Sequence, residues 1–466
     1  MPGSAHSVSM ALPSWDHVVG YEEKRPDVMR HLKTGYPRFV IHPLVQQVAR
    51  ELAPEGSCLP LPSAAVCAQC LQFLSSNGAD GRLVARDGMS GVATNAQGAD
   101  LLKAFWQHTG LIISTRQAAW WLENRGTTPP ESEARNGLRS ILADFYDCEP
   151  GDVFLLPTGM AAQYAALRVL HALNPGLPTA QLGFPYVDTL KLQQKFGSGG
   201  ILLHQLQSIQ AELEALVRRQ SIAGCFCEIP GNPLLGSADL RQIRPILRAR
   251  GIPLVVDDVV ATPANIDVGP YADLVATSLT KFIAGNGEVM GGALICNPRS
   301  PLYDRLLEAA RAQHEELLWS EDASVLEETA RDFPRRMERH NASGLLIAER
   351  LRTHPAVERV WYPKWEFSEA YESARRPDGG WGALVTFMPR NGEKRSPAIY
   401  DALQLCKGPS LGTVFTLACP FTLLAHYTEL DWAEACGVSR YLIRLSIGTE
   451  DPEEIWTAIN AALAAP

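Results

Sequence analysis

No run of roughly 18 uncharged apolar residues occurs in this sequence, so no membrane-spanning helix is expected. Met1 to Trp15 lacks both a basic opening and a long apolar centre, and does not read as a secretion signal. Basic residues are the minority, 42 Lys and Arg against 51 Asp and Glu. The resulting net charge of −9 argues against nucleic acid as the main partner. Cysteine is present without a metal pattern: Cys67 and Cys70 form a CxxC, but no second ligand pair sits at a suitable spacing. Several other cysteines lie inside apolar runs, where the thiol behaves as a small hydrophobe. The expectation is therefore structural thiols, no metal, and the reducing cytoplasm. No internal repeat or low-complexity segment stands out.

At 466 residues the chain is too long for one hydrophobic core, and 46 % apolar with 20 % charged residues is ordinary globular composition. Three regions are expected: an N-terminal extension over 1–125, a large domain over 126–332 and a C-terminal α+β domain over 333–466. The first 110 residues read as loops (Gly35-Tyr36-Pro37, Pro60 to Pro62) mixed with helical pieces such as Pro43 to Leu52, with little legible chemistry. Ser114-Thr115-Arg116 predicts a helix start, with the helix running through Gln117 to Glu123. Glu131 to Phe145 predicts another, with Leu138, Ile141, Leu142 and Phe145 at helical spacing. Short apolar runs then alternate with helical patterns, as in a mainly parallel α/β sheet. The strand candidates are Val153 to Leu156, Thr179 to Phe184, Gly200 to Leu203, Ala223 to Ile229, Ile252 to Val256, Leu274 to Ala276 and Gly291 to Cys296. The segment 301–353 is helical and highly charged. Beyond it, strands are expected at Val357 to Trp361, Gly382 to Phe387 and Tyr441 to Ser446, with a closing helix from Asp451 to Leu463.

In open α/β sheets ligands bind beyond the carboxyl ends of the strands. Four polar singularities fall there: Thr158-Gly159-Met160, Asn232, Asp257 and Lys281. Lys281 ends the run Leu274 to Thr280 and precedes Gly285, Gly287, Gly291 and Gly292. Alone, such a lysine is either a solvated strand cap or a desolvated amine able to form a Schiff base. Asp257 closes Leu254-Val255-Val256, as a cap, a structural ion-pair partner, or a carboxylate facing a protonated ring nitrogen. Thr158-Gly159 opens a helix whose free N–H groups suit either capping or phosphate. A Schiff-base lysine, an acid for a pyridinium nitrogen and a phosphate turn are together the parts that pyridoxal 5′-phosphate (PLP) requires.

These stretches resemble the cystathionine γ-synthase family of fold-type I PLP-dependent enzymes. The resemblance rests on Val255-Val256-Asp257-Asp258 with Ala261-Thr262-Pro263, and on Ser278-Leu279-Thr280-Lys281 with Gly291-Gly292. Glu228-Ile229-Pro230-Gly231-Asn232-Pro233-Leu234, Thr158-Gly159-Met160-Ala161-Ala162 and Tyr186-Val187-Asp188-Thr189 are similar to further motifs of that family. Ser410 to Leu417, His426-Tyr427, Leu442 to Gly448, Gly35 to Phe39 and Leu317 to Asp322 resemble its fungal-type branch. The implied fold is a large domain with a mainly parallel seven-stranded sheet plus a smaller C-terminal α+β domain. The implied roles are Lys281 as Schiff-base and proton-transfer residue, Asp257 at the ring nitrogen and Tyr186 stacked on the ring. Gly159, Met160, Ser278 and Thr280 would hold the phosphate. Asn232 would contact the cofactor's 3-oxygen or the substrate carboxylate, and Arg444, with Ser410 beside it, would clamp the α-carboxylate.

Two departures from the family pattern stand out. Ser114-Thr115-Arg116 keeps the arginine of the family's Y-(S/T)-R motif, which reaches a neighbouring subunit's phosphate, but not its tyrosine; Arg125 is a second candidate. Phe415 stands where many members carry glutamate. The resemblance implies γ-replacement on an O-acyl-homoserine, with cysteine as the preferred nucleophile, in a homodimer or homotetramer with shared sites. The rival enzymes are a β- or γ-lyase and a synthase using another nucleophile. A scaffold retained only for binding or regulation would need neither Lys281 nor Asp257.

Overall fold

The computed structural model describes residues 3–34, 40–124 and 133–465; Gly35 to Phe39 and Arg125 lie outside the described residues. Among the described residues, three β-sheets organise the chain.

The first corrects the reading of the N-terminal region. Strands β1 (Ser57–Leu61), β2 (Gly81–Arg86) and β3 (Met89–Thr94) form an antiparallel sheet in the order β1-β3-β2. Pro60 reads as a loop residue, yet β1 is an edge strand, where proline's missing N–H is tolerated. Asp87 and Gly88 both take positive φ, 47° and 81°, which is the backbone a tight two-residue hairpin needs. The expected helix Pro43–Leu52 is present. Two further helices, Ala64–Ser76 and Ala99–Thr109, pack beside this sheet. Cys67 and Cys70 are buried in the first of these, and burial pushes their thiols up to about 11 and about 12.

All seven expected strands of the large sheet form. They are β4 (Val153–Leu156), β5 (Thr179–Leu182), β6 (Gly200–Leu203), β7 (Cys225–Glu228), β8 (Leu254–Asp257), β9 (Leu274–Ser278) and β10 (Gly292–Cys296). Their order is β4-β10-β9-β8-β7-β5-β6, with β10 antiparallel to both neighbours and the other pairs parallel. The short apolar runs are explained by burial on both faces. Leu155, Val256 and Val275 enter one apolar cluster, which continues into the C-terminal sheet. Phe154, Val255 and Leu274 enter a second, shared with Val45, Trp106 and Ile113 of the N-terminal region. Parallel pairing aligns the carboxyl ends of β5, β7, β8 and β9 on one sheet edge.

The third sheet comprises β11 (Val357–Trp361), β12 (Leu384–Pro389), β13 (Cys406–Lys407), β14 (Leu417–Cys419) and β15 (Ile443–Ser446), in the order β11-β12-β15-β14-β13. β13 and β14 span two and three residues, too short to leave a periodic signal. Arg444 sits on central β15, opposite Thr386 on one side and Cys419 on the other. The closing helix runs Pro452–Leu463, with Asp451 as its cap accepting from Glu453 N at 2.8 Å. The N-terminal chain ties the parts together: Val8 N donates to Gly287 O at 2.9 Å and Leu12 N to Lys407 O at 3.1 Å.

Candidate active site

At the aligned strand ends a cleft opens, floored by the large sheet and roofed by residues of the C-terminal sheet. One end is an anion cradle. Thr158 caps the helix Gly159–Leu173: its Oγ1 accepts from Ala161 N at 3.0 Å and donates to Gly110 O at 3.0 Å. Gly159 allows the turn to lie against β9, because a Cβ there would sit 2.5 Å from Ser278 Cβ. Gly292 is equally constrained, as its Cβ would lie 2.1 Å from Thr158 O. The first N–H groups of that helix therefore face Ser278 and Thr280 across a gap only glycines permit. Thr280 Oγ1 is itself fixed by Gly291 N, which donates to it at 3.0 Å.

Beside the cradle stand two carboxylates in register, Glu228 at the end of β7 and Asp257 at the end of β8. Asp257 accepts from Gln163 Nε2 at 2.8 Å and from Val259 N at 2.9 Å. Glu228 accepts from the backbone N–H of Tyr186 and is bonded by the backbone of Asn232. Burial pushes the Asp257 carboxyl up to about 7, with the neighbouring Asp258 adding to the rise. Burial and the Asp257 charge push Glu228 up to about 8. Alternation along the chain turns Asp258 away from the cleft, to accept from Tyr146 Oη at 3.0 Å. That is the physical reason one of two adjacent aspartates is available to a ligand and the other is not.

Lys281 lines the cleft one turn beyond β9, and its Nζ donates to Ser410 Oγ at 3.3 Å. Arg444 reaches the cleft from β15. It donates to Asn232 Oδ1 at 3.2 Å, Pro409 O at 3.0 Å and Ser410 O at 2.8 Å, with Phe421 beneath at 5.2 Å. It is 2 % exposed, its Nε has no partner, and among the described residues the acceptors its guanidinium meets are neutral oxygens. A buried guanidinium satisfied only by neutral acceptors retains strong demand for an anion.

The structure thus brings Lys281, Asp257, Tyr186, Asn232, Gly159, Met160, Ser278, Thr280 and Arg444 into one cleft, with Ser410 bonded to Lys281 and Arg444. It does not bring Arg116 there. The Arg116 guanidinium donates to Glu288 O at 2.8 Å and to the buried Asp322 at 3.0 Å within this chain. Sequence reasoning missed Gln163, which holds Asp257. One signal was available, a polar residue among the alanines of the first turn, on the face the helix buries. It also missed Trp106, Gln107 and Gly110, which form a wall of the cleft from the N-terminal region. The remaining wall is apolar: Val260, Leu411, Phe421, Leu424 and Ala425.

The donor set fits PLP. The cradle offers N–H and hydroxyl donors to a phosphate, and Lys281 offers an amine to an aldehyde. Asp257 is a buried carboxylate whose raised pKa a cationic ring nitrogen would relieve.

Known proteins agree. The sequence profile of a family described as Cys/Met metabolism PLP-dependent enzyme matches residues 133–464. The chain is 31 % identical to a cystathionine γ-synthase of Neurospora crassa, over 99 % of this chain and 96 % of that protein. It is 32 % identical to an L-2-amino-4-chloropent-4-enoate dechlorinase/desaturase of Streptantibioticus cattleyicolor, over 98 % and 95 %. Among solved structures, cystathionine γ-synthase from Xanthomonas oryzae pv. oryzae superposes with a TM-score of 0.63 at 28 % identity, covering 72 % of this chain and 86 % of that one.

Proposed function

The chain belongs to the family of Cys/Met metabolism PLP-dependent enzymes, and from that membership we propose that it catalyses γ-replacement on an O-acyl-L-homoserine, with L-cysteine as nucleophile and L-cystathionine as product. The observation that carries the reading is Arg444, a buried cation without an acidic partner, placed across one cleft from Lys281 and Asp257. Such a cation suits an amino acid's α-carboxylate, held two-pronged by the guanidinium, with Asn232 Oδ1 fixing its plane.

Bound PLP supplies an electron sink for charge developing at the substrate's Cα. Asp257, steadied by Gln163 and Val259 N, holds the ring nitrogen's proton. Lys281 Nζ takes the Cα proton and serves Cβ in turn, with Ser410 Oγ orienting it between transfers. The Cγ–O bond of the acyl ester breaks, the carboxylate leaves, and the thiol sulfur bonds to Cγ as its proton departs. The wall of Leu411, Phe421, Leu424 and Ala425 excludes water from the reacting carbons. A homodimer or homotetramer in the cytoplasm, with Arg116 acting across a subunit interface, completes the proposal.

A second reading has a specific observation behind it. A relative at 32 % identity is named as a dechlorinase/desaturase of an unsaturated amino acid, and the mostly apolar cleft suits elimination or a nucleophile other than cysteine. Mass spectrometry of the purified protein with O-acetyl- and O-succinyl-homoserine, with and without L-cysteine, separates the two. Cystathionine formed only with cysteine, and lost in Lys281→Ala, supports γ-replacement. A keto acid formed regardless of cysteine supports elimination, and no consumption of either ester overturns the acyl-homoserine assignment.

A further inference from the structure

The cleft wall contributed by the N-terminal region lies outside the part of the chain that the family profile matches, residues 133–464. Its source is the helix Ala99–Thr109, which ends on Gly110 at φ 68°. This end is packed onto the anion cradle with no space to spare. A Cβ on Gly110 would lie 2.1 Å from Thr158 Oγ1, 2.6 Å from Ala161 N and 2.8 Å from Met160 Cβ. Thr158, the cap of the cradle helix, donates its hydroxyl to Gly110 O. One turn before Gly110, Trp106 and Gln107 line the cleft together with Thr158, Gly159 and Met160.

Gln107 is not a loose surface amide. Its Nε2 donates to Asp188 Oδ1 at 3.1 Å, and His108 Nδ1 lies 3.2 Å from the same oxygen. Asp188 is fully buried in the first turn of the helix Val187–Phe196, two residues after Tyr186. The amide group facing Asp188 is the NH2 group, because its Nε2 is the donor. One of its two N–H groups is used there. The other is left, on a side chain whose rotation is fixed.

Charge makes that donor matter. The cations lining the cleft among the described residues are Lys281 and Arg444, the first in the role of the aldehyde's amine, the second in that of the carboxylate clamp. Arg116 is engaged by Asp322 and Glu288 O. From its own chain, a phosphate in this cradle therefore meets neutral donors: helix N–H groups, hydroxyls and one amide.

We propose that the helix Ala99–Thr109 is an integral wall of the cofactor site, and that Gln107, oriented by Asp188, donates its remaining amide N–H to the cofactor's phosphate. The inference rests on the family's cofactor and not on the choice of amino-acid substrate.

The test is titration of the full-length apoprotein with PLP and, separately, with pyridoxal, which lacks the phosphate. Wild type is compared with Gln107→Ala and with Gln107→Met, the latter keeping the side chain's length without its amide. One hydrogen bond to a charged oxygen corresponds to a roughly tenfold loss in PLP affinity in both variants, with pyridoxal affinity within about twofold of wild type. PLP affinity unchanged in either variant overturns the proposal, as does an equal loss for PLP and pyridoxal. Because no amino acid is present in the titration, its failure leaves the substrate assignment untouched.

Discussion

Glu228→Gln is the most informative single change in this site, because it removes a charge while keeping an oxygen for the Tyr186 and Asn232 N–H groups. In the apoprotein the wild-type carboxyl is pushed from 4.5 up to about 8, by burial first and by Asp257 second. A folded-state pKa above the unfolded value means the native chain binds more protons than the unfolded one between those limits. Stability is therefore fully present at acidic pH and declines as pH rises through the window from 4.5 to about 8. At roughly 1.4 kcal/mol per pK unit the ceiling is on the order of 5 kcal/mol; one side of the carboxylate faces the open cleft, so about 2–3 kcal/mol is expected. With an unfolding entropy of about 2.1 cal/mol/K per residue, each kcal/mol moves the Tm of a chain this long by about 1 °C. Differential scanning calorimetry of the apoproteins should place Glu228→Gln about 2–3 °C above wild type at pH 8.5. The two should melt together at pH 5. PLP should shrink the gap, since a cation beside Asp257 removes part of the repulsion. An offset of the same size at both pH values would refute the reasoning, and a lower Tm for the variant at pH 8.5 would reverse its sign.

Two further outcomes follow from the same geometry. Arg444→Lys exchanges a planar fork, held by Asn232, Pro409 O and Ser410 O, for a single ammonium; steady-state kinetics should show KM for the amino acid raised roughly 30-fold, about 2 kcal/mol, with the bound-cofactor absorbance unchanged. Gly159→Ala places a methyl 2.5 Å from Ser278 Cβ; PLP titration should show affinity at least about tenfold weaker, because the cradle has to widen, while a Gly151→Ala control, whose methyl would meet only Arg311 Nη2 at 3.7 Å, should bind normally.

The large sheet was legible because most of its strands are four- or five-residue, largely apolar runs buried on both faces, with β6 half-buried and β5 carrying Thr179 and Gln181 as the exceptions. A run of that kind, bounded by turn residues, is hard to mistake when helical patterns separate the runs. Its site residues were legible for a related reason. Asp257 and Lys281 are ionisable groups placed directly after apolar strands, so they stand out against their own neighbours. Residues that act through them do not stand out. Gln163 sits inside a buried helix, where its partner, Asp257, is 94 positions away. Neither residue type nor spacing signals such a pair. Arg116 is a different case: a motif fragment points to a ligand role across a subunit interface, and within its own chain the guanidinium is held by Asp322.

The N-terminal region was the least legible for a reason that bears on the chemistry. Its contribution to the cleft is a tryptophan, a glutamine and a glycine on an amphipathic helix, with no ionisable group facing the ligand. Read locally, Trp106 is core, Gln107 is a polar face and Gly110 is a helix stop. Each of those local readings is true, and Gly110 does close the helix in the left-handed conformation. What gives the three residues a place in the site is the contact between Gly110 and Thr158, made across 48 residues of chain. That contact ties the folding of the N-terminal helix to the geometry of the anion cradle: if the helix shifts, Thr158 loses its acceptor and the cap of the cradle helix loosens. The cradle and this wall are thus one structural unit, and residues 133–465 alone would present the cradle without its lid. Deleting the segment should accordingly weaken cofactor binding and also lower the melting temperature, because it uncovers the sheet face that Phe154, Val255 and Leu274 share with Val45, Trp106 and Ile113, although the ladder hydrogen bonds are made within residues 153–296.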